Sequence, residues 1–190
     1  MKLLLSSRNL HKLEEIRAIL PATITVEPWD SDVEIEESAD TFEGNAFIKA
    51  YAGWEQMGIP CLGEDSGLSV PALGGAPGVM SARFAGEPRS DFANIQLLLK
   101  QMEGVHDRSA YFTTVLALVM DGNEYSFEGR VEGRIATAIH GAMGFGYDPV
   151  FIPEGYDQTF AELGPLIKNH ISHRARALSK LTAFLKAFSC

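Results

Sequence analysis

A chain of 190 residues is long enough for one complete hydrophobic core, or for one domain drawn into two lobes. With 46% hydrophobic and 22% charged residues the composition is that of an ordinary soluble globular protein, and a formal net charge of -9 provides no basic face for gripping nucleic acid. A small anionic ligand is still allowed, because a local basic pocket can sit inside an acidic protein.

The two cysteines, Cys61 and Cys190, form neither a metal-spacing motif nor a disulfide framework, which points to a reducing cytoplasm. Met1 to Leu5 is too short an apolar run for a signal sequence and reads as a first strand. No segment reaches the length of a membrane span. No repeat, low-complexity stretch or linker divides residues 1–190, so a single domain is expected.

After the strand Lys2 to Leu5 comes the polar loop Ser6-Ser7-Arg8-Asn9 and then a helix, with Leu10, Leu13, Ile16 and Leu20 near one face and Pro21 as its stop. A helix start with exposed N–H groups, hydroxyls, an amide and Lys12 in its first turn is an arrangement that receives phosphate. It lacks the Gly-Lys-Ser/Thr ending of a Walker A loop. Taken alone, the segment is more plainly a capped helix with surface charges.

The acidic stretch Asp30 to Asp40 has the composition of a solvated loop, yet one of its carboxylates could share a metal ion with Asp65. Thr41 should cap a second helix that buries Phe42, Ala46, Ala50, Trp54 and Met57, with Asn45 and Lys49 on a different face. Ile59 to Leu62 then reads as the end of a buried strand that opens onto Glu64-Asp65-Ser66-Gly67. Carboxylates at a strand exit either hold a hard cation such as Mg²⁺ or take a proton from water. By itself, Asp-Ser-Gly is ordinary turn chemistry.

Leu73 to Gly78 is a glycine-rich loop, and Asp91 to Met102 a helix stopped by Gly104. Ala110 to Met120 is a long buried strand, turned by Asp121-Gly122-Asn123 into Glu124 to Glu128, with Arg130 to Ile139 continuing the sheet. That antiparallel pair excludes a purely parallel doubly wound sheet. In Gly141 to Pro149, Phe145 and Tyr147 alternate with glycines and end on Asp148. An aromatic ring on such a loop is a stacking platform for a planar base, and Asp148 could accept from a ring N–H; a β-bulge or a core aromatic fits equally well. Val150 to Pro153 is a short strand and Gly155 to Gly164 a loop. Ser172 caps a last helix burying Leu178, Leu181, Leu185 and Phe188, with Lys168, His173 and Arg174 grouped at its start. Cations there oppose the helix dipole and call for an anion or polar ligand nearby.

Six segments stand out in chain order: Ser7 to Lys12, Thr41 to Ala50, Glu64 to Leu68, Leu73 to Arg83, Gly144 to Pro149, and Lys168-Asn169 with Ile171 to Arg174. As a set they resemble the family of purine nucleoside triphosphate pyrophosphatases that hydrolyse inosine and xanthosine triphosphates (ITP, dITP and XTP). The resemblance implies an elongated α/β fold, a central mixed sheet flanked by helices and bent into two lobes around an active-site cleft, and a homodimer in the cytoplasm without nucleic-acid or membrane partners. It further implies that Ser7, Arg8, Asn9, Leu10, His11 and Lys12 bind the triphosphate and that Asp65 is the proton acceptor. Mg²⁺ would be held by Asp65 and by Glu36 or Glu37, between which spacing does not choose. Ser66, Phe145, Gly146, Tyr147, Asp148, Lys168, His173 and Arg174 would contact the nucleotide. Arg8 stands where the family commonly has Gly or Asn, Glu64 where it has Asp, and Met143 where it has Gly.

The implied reaction is attack of water on the α-phosphorus, with release of pyrophosphate. Donors from His173, Arg174 or backbone N–H to a 6-keto oxygen would face adenine's 6-amino group donor to donor, a buried mispairing costing about 1–3 kcal/mol. Two other classes stay open. A nucleotide-binding regulator would not turn over, and a phosphatase would release orthophosphate.

Overall fold

The computed structural model describes residues 1–29, 31, 33 and 35–188. Asp30, Asp32 and Glu34 of the acidic stretch, and Cys190, lie outside the described residues. The strands are β1 (Lys2–Ser6), β2 (Thr25–Pro28), β3 (Cys61–Ser69), β4 (Ser109–Met120), β5 (Asn123–Ile135) and β6 (Phe151–Pro153). The helices are α1 (Leu10–Ile19), α2 (Phe42–Met57), α3 (Asp91–Gln101), α4 (Phe160–Ile171) and α5 (His173–Phe188). The strands form one mixed sheet in the order β2-β1-β3-β4-β5-β6. β1 runs parallel to both β2 and β3, and β6 is antiparallel to β5. Asp121 and Gly122, at φ 52° and 75°, make the tight reversal between β4 and β5.

By their contacts the residues fall into two compact units, one of residues 1–65, 114–129 and the segment from His173, the other of residues 66–113 and 130–172. In the first, the period-two alternation of β4 serves two layers. Leu116, Leu118 and Met120 pack with Leu3 and Leu5 of β1, Leu13 and Ile16 of α1, and Leu178 and Leu181 of α5. Val115, Ala117 and Val119 pack with Ala46 and Ala50 of α2. Small residues bring α2 close to β3: a Cβ on Gly63 would collide with the Ala46 carbonyl and the Ala50 amide. In the second unit, Leu68, Val70, Ile95, Leu98, Met102, Phe112, Val131 and Phe160 form the core. Phe151 meets Phe112 edge-on at 4.7 Å.

Several expectations change. Glu64-Asp65-Ser66-Gly67 is not a turn at a strand exit but the interior of β3, which runs to Ser69. Asn45 and Lys49 belong to the buried side of α2, whereas Met57 is 51% exposed. Leu10 is 67% exposed because it opens the first turn of α1, ahead of the face formed by Leu13 and Ile16. The expected loop from Gly155 to Gly164 contains the start of α4, capped by the reciprocal pair Thr159 and Glu162. α4 then breaks at Gly164, φ 75°, before Pro165, which hides its helical period in the sequence. β2 has too few residues to show a period of its own.

A buried ion network ties three elements of the first unit together. Arg174, 1% exposed at the start of α5, pairs with Glu15 of α1 and, through Nη2 at 2.8 Å, with Oε1 of Glu64 in β3. Glu64 Oε2 lies 3.4 Å from the Lys12 ammonium. Burial alone would raise the Glu64 carboxyl; Arg174 and Lys12 overcome it and hold the group well below its ordinary 4.5. Such a depressed carboxyl contributes stability that is complete above its unfolded value and is lost as the pH falls below it.

Two outcomes follow for folding. Gly63→Ala should destabilise the protein by about 3 kcal/mol in chemical denaturation, because the new methyl meets backbone rather than a movable side chain; wild-type stability would show that α2 and β3 are not held this close. Stability of the wild type should fall as the pH drops below 4.5, and Glu64→Gln should make that acid limb shallower. An unchanged slope would remove Glu64 from the account.

Candidate functional site

The first unit gathers charge around the middle of β3. Asn9 caps α1 by accepting the Lys12 amide on Oδ1 at 3.2 Å, and Ser7 Oγ accepts the Asn9 amide at 3.2 Å. These bonds fix the polar loop at a helix start, with the Lys12 side chain turned inward to Glu64. Burial first, and then its Lys49 and Arg174 neighbours, push the Lys12 ammonium below its ordinary value, against the pull of Glu64. Arg8 turns elsewhere: its Nη2 donates to the carbonyls of Val33 at 2.8 Å and Ser31 at 3.3 Å. Leu10 and His11 are exposed, with His11 Nδ1 3.8 Å from Glu14.

Asp65 is 6% exposed. Its Oδ1 lies 3.1 Å from Lys49 Nζ, and its Oδ2 accepts from Asn45 Nδ2 at 3.4 Å. The same ammonium is 3.1 Å from Glu37 Oε1, so one cation bridges two carboxylates. Asn45 Oδ1 accepts the Ala39 amide at 2.9 Å, which fastens the end of the acidic stretch to α2. Burial raises the Asp65 carboxyl above its ordinary value; Lys49 and Lys12 pull it partly back, and Glu37 pushes with burial. The outcome is a carboxylate more basic than a surface aspartate. Glu36 is exposed, while Glu37 reaches the cluster.

Sequence reasoning passed over Lys49, Asn45 and Glu15. Asn45 and Lys49 are four apart, beside the Ala46 and Ala50 stripe, and that adjacency was the available signal. Among the described residues no group of three or more His, Cys, Asp or Glu converges as a ready-made metal cage. The oxygen donors nonetheless suit a hard cation, since Glu37 and Asp65 already aim at a single cationic point and Glu15, Glu37, Glu64 and Asp65 outnumber Lys12, Lys49 and Arg174.

The second unit gathers the glycine–aromatic loop. Asp148, 2% exposed, accepts the Phe145 amide at 3.0 Å and the Lys168 ammonium at 2.5 Å on one oxygen, Oδ2. A Cβ on Gly144 would strike that carboxylate. Lys168 Nζ stands 4.6 Å from the centre of the Phe145 ring, a cation–π distance. Burial, aided by the charge of Asp91, raises the Tyr147 phenol, which stays protonated and donates to the Ser81 carbonyl at 2.9 Å. Gly146 donates its amide to Asp91 Oδ2 at 2.7 Å. Phe145, Gly146, Tyr147, Asp148 and Lys168 thus converge in one place, and Ser66 is half-buried in β3. His173 and Arg174 belong to the first unit, where His173 is 4% exposed and its carbonyl backs onto Gly129 of β5.

The model of the Ham1 family matches residues 3–184. The dITP/XTP pyrophosphatase of Porphyromonas gingivalis is 48% identical over 188 residues, 97% of each chain. That of Bacillus licheniformis is 47% identical over 197 residues, again 97% of each chain. Among solved structures, the Ham1 protein of Staphylococcus aureus matches with a TM-score of 0.89 at 38% identity, covering 98% of this chain and 99% of that one. A HAM1 protein from Coxiella burnetii matches with a TM-score of 0.90 at 40% identity and the same coverage. By sequence and by fold, this chain belongs to the Ham1 family.

Proposed function

We propose that the protein hydrolyses ITP, dITP and XTP to the nucleoside monophosphate and pyrophosphate; two of its relatives are named dITP/XTP pyrophosphatases, which supports the dITP and XTP part of this reading. The observation that carries this reading is Asp65, a buried carboxylate more basic than usual, held by Lys49 and Asn45 beside a cluster that also contains Lys12. A triphosphate brings roughly four negative charges at neutral pH, so cations must meet it before a nucleophile can approach. Ser7, the start of α1 and Lys12 would take phosphate oxygens, with Lys49 as a further cation. Asp65 accepts a proton from water as the water oxygen bonds to the α-phosphorus. The bond from that phosphorus to the bridging oxygen breaks, and the electron pair leaves with pyrophosphate. Mg²⁺, when bound by Glu37 and Asp65, would supply charge neutralisation and favour ionisation of water.

Phe145 would be the stacking surface for the purine, with Ser66 and Tyr147 as neighbouring nucleotide contacts. Lys168 would donate to the 6-keto oxygen, with His173 as a second donor to the nucleotide. Asp148 has its Oδ2 committed to Lys168 and the Phe145 amide, so its part is to hold those two groups rather than to read a ring N–H. Arg174 likewise acts through Glu64, which faces Lys12. A cytoplasmic homodimer belongs to the same reading, and sedimentation of the purified protein would test the dimer.

Purified protein with Mg²⁺ should convert ITP, dITP and XTP to monophosphate plus pyrophosphate, and EDTA should stop it. Orthophosphate as the product, or binding without turnover, would replace this reading with one of its competitors. Asp65→Asn should lower kcat by about 10³-fold while nucleotide binding persists; full activity would dismiss Asp65 as the base. Glu37→Gln should raise the Mg²⁺ concentration for half-maximal activity by about tenfold, with Glu36→Gln near wild type. The reverse order would move the metal ligand to Glu36.

A further inference from the structure

The loop from Gly144 to Pro149 is fastened from outside by α3. Gly146, in a left-handed conformation at φ 59°, points its amide at Asp91 Oδ2, 2.7 Å away. One residue earlier, the Phe145 amide goes to Asp148. The consecutive N–H groups that flank the Phe145 Cα are therefore held by two different carboxylates, one within the loop and one on a separate helix. Asn94 lies three positions after Asp91, on the same face of α3. Its Nδ2 donates to the carbonyls of Ser81 at 3.3 Å and Ala82 at 3.1 Å, and its Oδ1 accepts the Ala85 amide at 2.7 Å. Ser81 in turn receives the Tyr147 hydroxyl on that same carbonyl. One face of α3 thus holds the loop directly at Gly146 and, through Ser81, indirectly at Tyr147.

Asp91 is not needed to finish its own helix. Ser90 is the cap and accepts the Ala93 amide at 3.2 Å. The Asp91 carboxylate is turned to the loop instead, in a charge-assisted bond to backbone, which is among the stronger kinds.

We propose that Asp91 is a positioning residue for purine recognition: by holding the Gly146 amide it fixes the plane in which the Phe145 ring is offered to the base. This rests on the reading of Phe145 as the stacking surface. Without Asp91, the loop keeps its bonds to Asp148 and Ser81 but pivots about the released amide, and the ring samples several orientations. Base binding then weakens while the chemistry at Asp65 is untouched.

The test uses Asp91→Ala and Asp91→Asn in the full chain, the second retaining an acceptor oxygen. Asp91→Ala should raise KM for ITP about tenfold with kcat within about twofold of wild type, the effect of losing one hydrogen bond to a charged group. The ratio of kcat/KM for ITP over ATP should fall with it, and Asp91→Asn should recover most of the loss. In parallel, amide hydrogen exchange should quicken at Gly146 in Asp91→Ala and leave α3 as protected as before. Unchanged exchange at Gly146 overturns the proposal whatever the kinetics show. So does faster exchange with unchanged KM, or a kcat loss shared equally by ITP and ATP. If the wild type releases no pyrophosphate from ITP, the functional reading fails and the base platform with it, while the exchange measurement still decides whether Asp91 holds the loop.

Discussion

One ammonium group, Lys49 Nζ, lies 3.1 Å from a carboxylate oxygen of Glu37 and 3.1 Å from one of Asp65, and much of the first unit is arranged so that it can. The ammonium offsets the repulsion between two carboxylates that both point at it. It reaches them only because α2 packs tightly on β3, and that approach depends on the missing side chain at Gly63. Asn45, one turn earlier on the same helix, completes the hold on Asp65 and fastens Ala39. A carboxylate more basic than usual, buried among alternating charges, is a costly arrangement to keep without a use for it.

The two units each bury a Lys–Asp pair, and the pairs differ in kind. Lys49 divides its contact between Asp65 and Glu37, and burial raises Asp65, so the carboxylate keeps its appetite for a proton. Lys168 faces Asp148 at 2.5 Å, on an oxygen that also takes the Phe145 amide. The first arrangement suits chemistry. The second suits a fixed surface, with an aromatic ring and an ammonium held in one relation to each other. Glu64, between Lys12 and Arg174, is a third case: its partners hold its carboxyl down, so it anchors cations and cannot serve as a base near neutral pH.

Most of the elements and part of each cluster were legible in the sequence, because caps, turn residues and alternation are local signals. Thr41 caps α2, Asp121-Gly122 turns β4 into β5, and β4 shows its alternation openly. What stayed hidden depends on partners far along the chain. Lys49 and Asn45 look like the wrong face of an amphipathic helix until Asp65 is set against them. Glu64 to Gly67 has turn composition, and only burial among charges makes it strand interior. Nothing local distinguishes Glu37 from Glu36, whereas in the fold it is Glu37 that meets the Lys49 ammonium of α2. The start of α4 is masked by its break at Gly164 and Pro165.

In the proposed reaction, water is directed by Asp65 at the α-phosphorus of a purine nucleoside triphosphate. Turnover of ITP in ¹⁸O-labelled water, with mass analysis of both products, tests it most directly. The label should appear in inosine monophosphate, with unlabelled pyrophosphate. Label in pyrophosphate or in orthophosphate would mean that a different phosphorus is attacked, and would contradict the account.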